Sequence, residues 1–295
     1  MILTMNKHPL ELNGKYLGML REANDLLGNS EALNARLEED GYLLIRGLHN
    51  RRKVQAARQF LLEKLDENGQ LDTSYPLTQG VPAAGKRGRF SGGNKQVTHD
   101  PAFLDVVESP EIMDFCEMYF HAPVITYDFK WLRVIPPGGF TGAHYDIVYM
   151  GRGTKRVLTC WTPLDDIPFE LGPLMLLVGS HRFEAIRRTY AEMDVDRDHV
   201  TGSFSYDPVE LVDRYGGRWG TSSFEMGDVL ILGMYTMHAS LDNTTNRFRL
   251  STDTRYQRAD EPVDERWIGE NPIAHYAWTK GETVPMEEMR QRWGV

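Results

Sequence analysis

The spacing of apolar residues changes near residue 123. Before that point they recur mostly every three or four positions. Ser30 as N-cap, Leu33 and Leu37 on one side and Gly41 as a stop predict a first helix. Val54, Ala57, Leu61 and Leu65 form the stripe of a second over 51–68, ended by Gly69. Ser109-Pro110-Glu111 opens another, with Ile112, Phe115 and Tyr119 on one side. Residues 1–29 are weakly patterned and predict a partly helical arm, and Tyr42-Leu43-Leu44-Ile45-Arg46 predicts a short buried strand. Beyond 123 the pattern is that of strands: a β-rich run at 124–135 ending at Pro136-Pro137, alternation at 156–162, and continuous apolar runs at 174–178 and 229–232. Residues 247–257 alternate strictly. Phe248, Leu250, Thr252, Thr254 and Tyr256 share one face; Arg247, Arg249, Ser251, Asp253, Arg255 and Gln257 share the other.

Strands punctuated by turns, following a helical third, predict a mainly β fold with flanking helices, built on a jelly roll. No internal repeat or low-complexity linker divides the chain, so one domain over 1–295 is expected. Residues 1–122 are its mostly helical part. Residues 123–258 form the core, interrupted by an insertion at 182–222 that covers an open end as a lid. Residues 259–295 form a tail whose Trp267, Trp278 and Trp293 pack on the domain or on a second subunit.

A formal charge of −9 and a pI near 5.5 disfavour a nucleic-acid partner. No apolar run approaches the roughly 18 residues that span a bilayer, and the first residues lack a signal-peptide pattern. Cys116 and Cys160 are expected as buried thiols rather than a disulfide. These features predict a cytoplasmic protein; a small-molecule substrate and a monomer or homodimer are expected of it, though charge and hydropathy do not decide either. The loop 84–93, with Lys86, Arg87 and Arg89, reads either as solvated chain or as a lid that brings cations over an anionic ligand.

The chemistry centres on Gly142-Ala143-His144-Tyr145-Asp146. If this piece is extended, His144 and Asp146 face the same way. The pair alone is weak, because nine histidines and 21 aspartates give about 0.6 such pairs by chance. A surface turn with a His–Asp hydrogen bond is the plain alternative. His238, just after the apolar run 229–232, is the candidate second imidazole; a satisfied core histidine is its alternative. Two histidines and a carboxylate around one ion leave positions open, as in non-haem Fe(II) oxygenases. Arg249, in the middle of an alternating strand, either pairs with Asp253 or another carboxylate, or clamps an incoming one with its planar fork.

Taken together the residues resemble the phytanoyl-CoA dioxygenase family of Fe(II)/2-oxoglutarate-dependent oxygenases. The resemblance runs from Asp40-Gly41-Tyr42-Leu43-Leu44-Ile45-Arg46-Gly47 to about Gly269. It is carried by His144-x-Asp146, Gly172-Pro173-Leu174-Met175-Leu176-Leu177-Val178-Gly179-Ser180-His181-Arg182, Gly227-Asp228-Val229, His238-x-Ser240 and Arg249. It implies a double-stranded β-helix of the cupin kind. It also implies that His144, Asp146 and His238 bind Fe(II), that Arg249 salt-bridges the distal carboxylate of 2-oxoglutarate, and that Ser240 and Trp161 line the same pocket. Lys86 or Arg87 is the match for an upstream residue that touches the co-substrate. His181 is expected to be structural. The expected reaction is oxidation, chiefly hydroxylation, of a C–H bond in a small metabolite or natural-product intermediate, with 2-oxoglutarate and O2 converted to succinate and CO2. Ala143 and Tyr145 stand where the family commonly has Trp and Gln, so the surface beside the ligands differs. Asp146 in place of Gly or Ala argues against halide binding. Alternatives are a cupin-like metal enzyme that does not use 2-oxoglutarate, an acyl-CoA hydroxylase, and a non-catalytic binding module. Pocket candidates for the substrate are Tyr127, Phe129 and Trp131, or Asp128, Lys130 and Leu132, with Tyr145, Tyr149, Arg152 and Arg255.

Overall fold

The computed structural model describes residues 1–91, 93–276 and 281–295; Gly92 of the cationic loop and Trp278 of the tail lie outside them. Two sheets face each other. The larger runs in the order Tyr42–Ile45, Val229–Gly233, Leu158–Pro163, Arg249–Arg258, Val124–Thr126, with Trp131–Ile135 also paired to Arg249–Arg258; all its pairs are antiparallel. The smaller runs His238–Ser240, Leu174–Leu177, Trp219–Thr221, Leu17–Met19.

Period-two alternation sorts the side chains. Tyr42, Leu44, Trp161, Leu174, Leu176, Leu230 and Leu232 meet between the sheets. Their alternates Leu43, Ile45, Cys160, Val229 and Ile231 pack outward against Leu33, Ile112, Phe115 and Tyr119 of the helices Ser30–Asp40 and Pro110–Phe120. The helix Arg51–Glu67 buries Val54, Ala57, Leu61 and Leu65, with Phe248 and Leu250 in the same cluster. Burying each large side chain of this kind contributes about 1.5–3 kcal/mol. Cys116 and Cys160 are both free and buried. No helix among the described residues is long and apolar enough to cross a membrane.

Several expectations shift. The arm is extended rather than helical: Ile2–Met5 and His8–Glu11 form a hairpin, and Leu17–Met19 joins the smaller sheet. The first helix is capped by Asn29, whose side chain accepts from Ala32 N, not by Ser30. The run 124–135 is two strands, Val124–Thr126 and Trp131–Ile135. The insertion carries the helix Pro208–Tyr215, capped by Asp207, whose side chain accepts from Val209 N and Glu210 N. Trp219–Thr221, counted above as part of the insertion, is a strand of the smaller sheet.

Candidate metal centre

His144 is extended and forms an isolated bridge with His238, the two exchanging backbone hydrogen bonds of 3.0 and 3.1 Å. That pairing holds the two imidazoles side by side, their ring centroids 4.2 Å apart. The chain then turns. Asp146 has φ −68° and ψ −28° and begins the short helix Ile147–Met150, so it does not continue the strand that the spacing predicts. Its carboxylate still meets the rings: Oδ1 lies 3.9 Å from His144 Nε2 and 3.8 Å from His238 Nε2. The ligand atoms of the three residues lie within 4.8 Å of one another, and all three residues are buried.

The tautomers follow from the neighbours. His144 Nδ1 is 2.9 Å from Gly142 O, and His238 Nδ1 is 2.9 Å from Thr236 O. A carbonyl can only accept, so each Nδ1 carries a proton, and each Nε2 is the ring atom turned towards Asp146 Oδ1. Burial, reinforced by the neighbouring His238, brings His144 down to about 3, so its ring is a neutral ligand at ordinary pH. Burial alone would raise the Asp146 carboxyl, but the Arg255 guanidinium, helped by the Thr159 hydrogen bond, holds it well below the usual carboxylate range. Thr159 Oγ1 donates to Asp146 Oδ2, and Arg255 Nη2 reaches both oxygens at 3.0 Å. An ionised carboxylate and two imidazoles whose Nε2 atoms face it form the donor set of a facial metal site.

A cavity of about 300 Å³ opens on this cluster, lined by Trp131, Arg133, Thr141, His144, Asp146, Tyr149, Met150, Ser203, Arg255 and His275. On the inward face of the sheet, Trp161 Nε1, Arg249 Nε, Ser251 Oγ, and Arg255 Nε and Nη1 are buried without hydrogen-bond partners among the described residues. Arg249 is 1% exposed and, among the described residues, donates only to Gly172 O, at 2.6 Å. No carboxylate of the described residues pairs with it, and the Asp253 bridge weighed as its alternative does not form; burial pushes it down to about 10. Unpaired buried donors are costly. This row of them suits an acidic ligand that arrives with its own acceptors, so the residues present fit both a divalent metal and a dicarboxylate.

The other expected residues divide. Trp161 points inward, packed edge-on against Phe224. Ser240 is buried, and its Oγ accepts from the backbone N of Thr141, a cavity residue. Lys86 and Arg87 do not reach the metal cavity; they line a separate surface groove with Pro136, Pro137 and Asn246. Arg133 takes the cavity position instead. Its Nε donates to Asp253 at 2.7 Å, and its Nη atoms have no partner among the described residues. Trp131, Tyr149 and Arg255 reach the cavity. Lys130 turns to Tyr127 O and Glu108, Asp128 to Gly269 N, Tyr145 to Ser180 O and Arg152 to Asp194. His181 Nε2 lies 2.8 Å from Glu38 O, away from the cluster, which suits a structural role.

Sequence reasoning missed Arg133, Thr159, Ser251 and His275 as site residues, and it named Arg255 as a candidate of the substrate pocket, not as a partner of Asp146. Thr159 was legible in principle, two residues before Trp161 on one strand face. His275 was not, because it arrives from the tail; its Nδ1 lies 2.9 Å from Asp196 Oδ2.

The family model of phytanoyl-CoA dioxygenase (PhyH) matches residues 37–251. A 1-deoxypentalenic acid 11-beta-hydroxylase of Streptomyces exfoliatus is 27% identical over 256 residues, 81% of this chain and 84% of its own. Its Streptomyces arenae namesake is 25% identical over 254 residues, with the same coverage. Among solved structures, the epimerase SnoN in complex with Fe3+, alpha ketoglutarate and nogalamycin RO aligns with a TM-score of 0.54 at 21% identity, over 87% of this chain and 97% of that one. EctD from S. alaskensis with bound Fe aligns at 0.57 and 16% identity, over 96% and 99%. These structural likenesses establish the shared fold.

Proposed function

We propose, for a chain that belongs to the phytanoyl-CoA dioxygenase family, that it hydroxylates a C–H bond of a small natural-product intermediate. It is an Fe(II)- and 2-oxoglutarate-dependent dioxygenase. His144 Nε2, His238 Nε2 and one oxygen of Asp146 would hold the iron. Arg249 would take the distal carboxylate of 2-oxoglutarate, with Trp161 and Ser240 beside it. When bound, the iron and oxo-acid supply the oxidising chemistry, with O2 consumed and 2-oxoglutarate released as succinate and CO2.

The chain's own residues prepare that site. The carbonyls of Gly142 and Thr236 fix the imidazoles, and Thr159 and Arg255 fix the carboxylate, so the ligands need little rearrangement when the ion arrives. The paired sheets exclude bulk water. The carrying observation is the convergence of three buried ligands beside unpaired inward donors.

For the substrate, Trp131, Tyr149 and Met150 offer an apolar wall, while Arg133 also lines the cavity and its Nη atoms have no partner among the described residues. We read this as a compact, mainly apolar molecule bearing an acidic group; the two relatives are named as hydroxylases of an acid, 1-deoxypentalenic acid. The test is incubation with Fe(II), ascorbate and 2-oxoglutarate, following succinate with and without 1-deoxypentalenic acid and other compact apolar acids. Succinate coupled to a product about 16 mass units heavier supports the reading. Oxygen uptake indifferent to 2-oxoglutarate contradicts it.

A further inference from the structure

Two segments outside the jelly roll reach the metal cavity: the insertion supplies Ser203 and the tail supplies His275. Buried ion pairs fasten these segments to each other. Arg266 of the tail pairs with Asp264 beside it and with Asp194 and Asp196 of the insertion. Asp196, Asp264 and Arg266 are each no more than 1% exposed. Asp196 also holds the next stretch of tail: Tyr276 N donates to its Oδ1 at 2.8 Å, and His275 Nδ1 lies 2.9 Å from its Oδ2. Further along, Val284–Pro285 runs parallel to Val200–Thr201, just before Ser203. Buried charges survive only where they are paired, so the insertion and the tail fold as one body against the cavity.

His275 is held in one orientation from three directions. Asp196 fixes Nδ1. The Trp267 ring lies 4.6 Å from the imidazole at 77°, and the Tyr149 ring 5.4 Å from it at 68°. Tyr149 is in turn 5.5 Å from the His144 ring. On the other side Trp267 is 4.8 Å from Trp131, the ring beneath the Arg255 guanidinium. A wall of rings therefore runs from His144, through His275, to the arginine that holds Asp146. Burial lowers the His275 imidazole below its ordinary value, so the wall is uncharged at neutral pH. Packing alone would seat the tail, since Trp267 and Met286 are already buried in the main core. The buried carboxylate beside His275 adds a fixed ring orientation, which is what a cavity needs to select by shape.

We propose that the tail is a specificity element of the active site, with His275 the wall against which the apolar body of the substrate packs and which sets how large a molecule the cavity admits. This rests on the compact, apolar, acidic substrate class read above and adds the residue that limits its size. In the competing role His275 only fastens the tail to Asp196.

Equilibrium binding separates the two roles. The protein is loaded with Mn(II) and 2-oxoglutarate, so that no oxidation intervenes. It is titrated by calorimetry with cyclohexanecarboxylic acid and with adamantane-1-carboxylic acid, a small and a bulkier probe, and the ratio of the two affinities is read. His275→Ala is expected to shift that ratio towards the bulkier acid by about tenfold, the scale set by one methylene of room in an apolar pocket. Mn(II) and 2-oxoglutarate affinities should be unchanged. His275→Gln keeps a donor for Asp196, and with it the seating of the tail, but removes the ring; the shift should persist. Ile273→Ala, exposed and two residues away, should leave the ratio as it is. A wild-type ratio in both His275 variants overturns the proposal, as does an equal loss for both acids, which assigns His275 to tail seating. Thermal unfolding shows whether each variant has folded, and if His275→Ala has not, His275→Gln decides. If the wild-type protein binds neither acid, the substrate class proposed above falls and takes this inference with it. Normal wild-type binding with indifferent His275 variants removes this inference only.

Discussion

Thr159 shows how far the centre depends on groups that never touch the metal. Its hydroxyl donates to Asp146 Oδ2, leaving Oδ1 to face both imidazoles. Thr159→Val keeps the shape and removes the donor, so iron affinity should fall about 10- to 100-fold with little change in fold stability. A metal titration of the variant checks this; an unchanged dissociation constant contradicts it. Asp146→Ala should abolish turnover and weaken metal binding outright. Arg249→Ala should retain iron and raise the 2-oxoglutarate requirement; steady-state kinetics at varied 2-oxoglutarate with a parallel metal titration would show the split, and unchanged co-substrate dependence would remove that assignment. At this scale the meeting of His144, Asp146 and His238 was anticipated through the family resemblance, since the His–Asp spacing by itself is weak. The bond from Arg255 to Asp146 was not, since nothing in a linear sequence says which arginine of an alternating face will lie beside the turn at Asp146.

Elements deliver these side chains, and one backbone position couples them. Gly172 has φ +75°, and a Cβ there would lie 2.6 Å from Leu241 O, while its own carbonyl accepts from Arg249. Gly172→Ala should therefore cost about 1–3 kcal/mol of stability and raise the 2-oxoglutarate KM together with it. Denaturation and kinetics on one preparation test the coupling; a destabilised variant with normal KM would separate the two effects. The strands of the larger sheet were legible because each repeats its pattern for several residues. The N-terminal hairpin was not: its strands are four residues each, and its turn, Asn6-Lys7 with φ 49° and 67°, carries Lys where a glycine would have signalled it. Leu17–Met19 pairs with Trp219–Thr221, some 200 residues away, and local pattern cannot report such a partner.

Across the whole molecule, helices cover the outer face of the larger sheet, and the insertion and tail cover the smaller one. His49 is buried at the edge of the helical layer, its Nε2 3.1 Å from Thr162 Oγ1 and its Nδ1 unpartnered among the described residues. Burial lowers it from 6.5 to about 4. Between those values the unfolded chain binds a proton that the folded one does not, so stability is lost as pH falls through that window, by about 3 kcal/mol at its lower end. His49→Gln should lose less stability between pH 7 and 4.5 than the wild type in urea unfolding, and equal losses would contradict the assignment. The jelly roll itself was legible, whereas the tail's delivery of His275 to the cavity was not, because a single His on an irregular segment has no period to place it. The central claim is that one iron sits on His144, Asp146 and His238 with its remaining face open to a keto-acid. Anaerobic titration of Fe(II) and then 2-oxoglutarate, followed by visible absorbance, tests it most directly. One Fe(II) per chain, with a charge-transfer band on adding 2-oxoglutarate that vanishes in His238→Ala and Asp146→Ala, is the result expected; a band that persists in both variants, or iron bound with no response to 2-oxoglutarate, contradicts it.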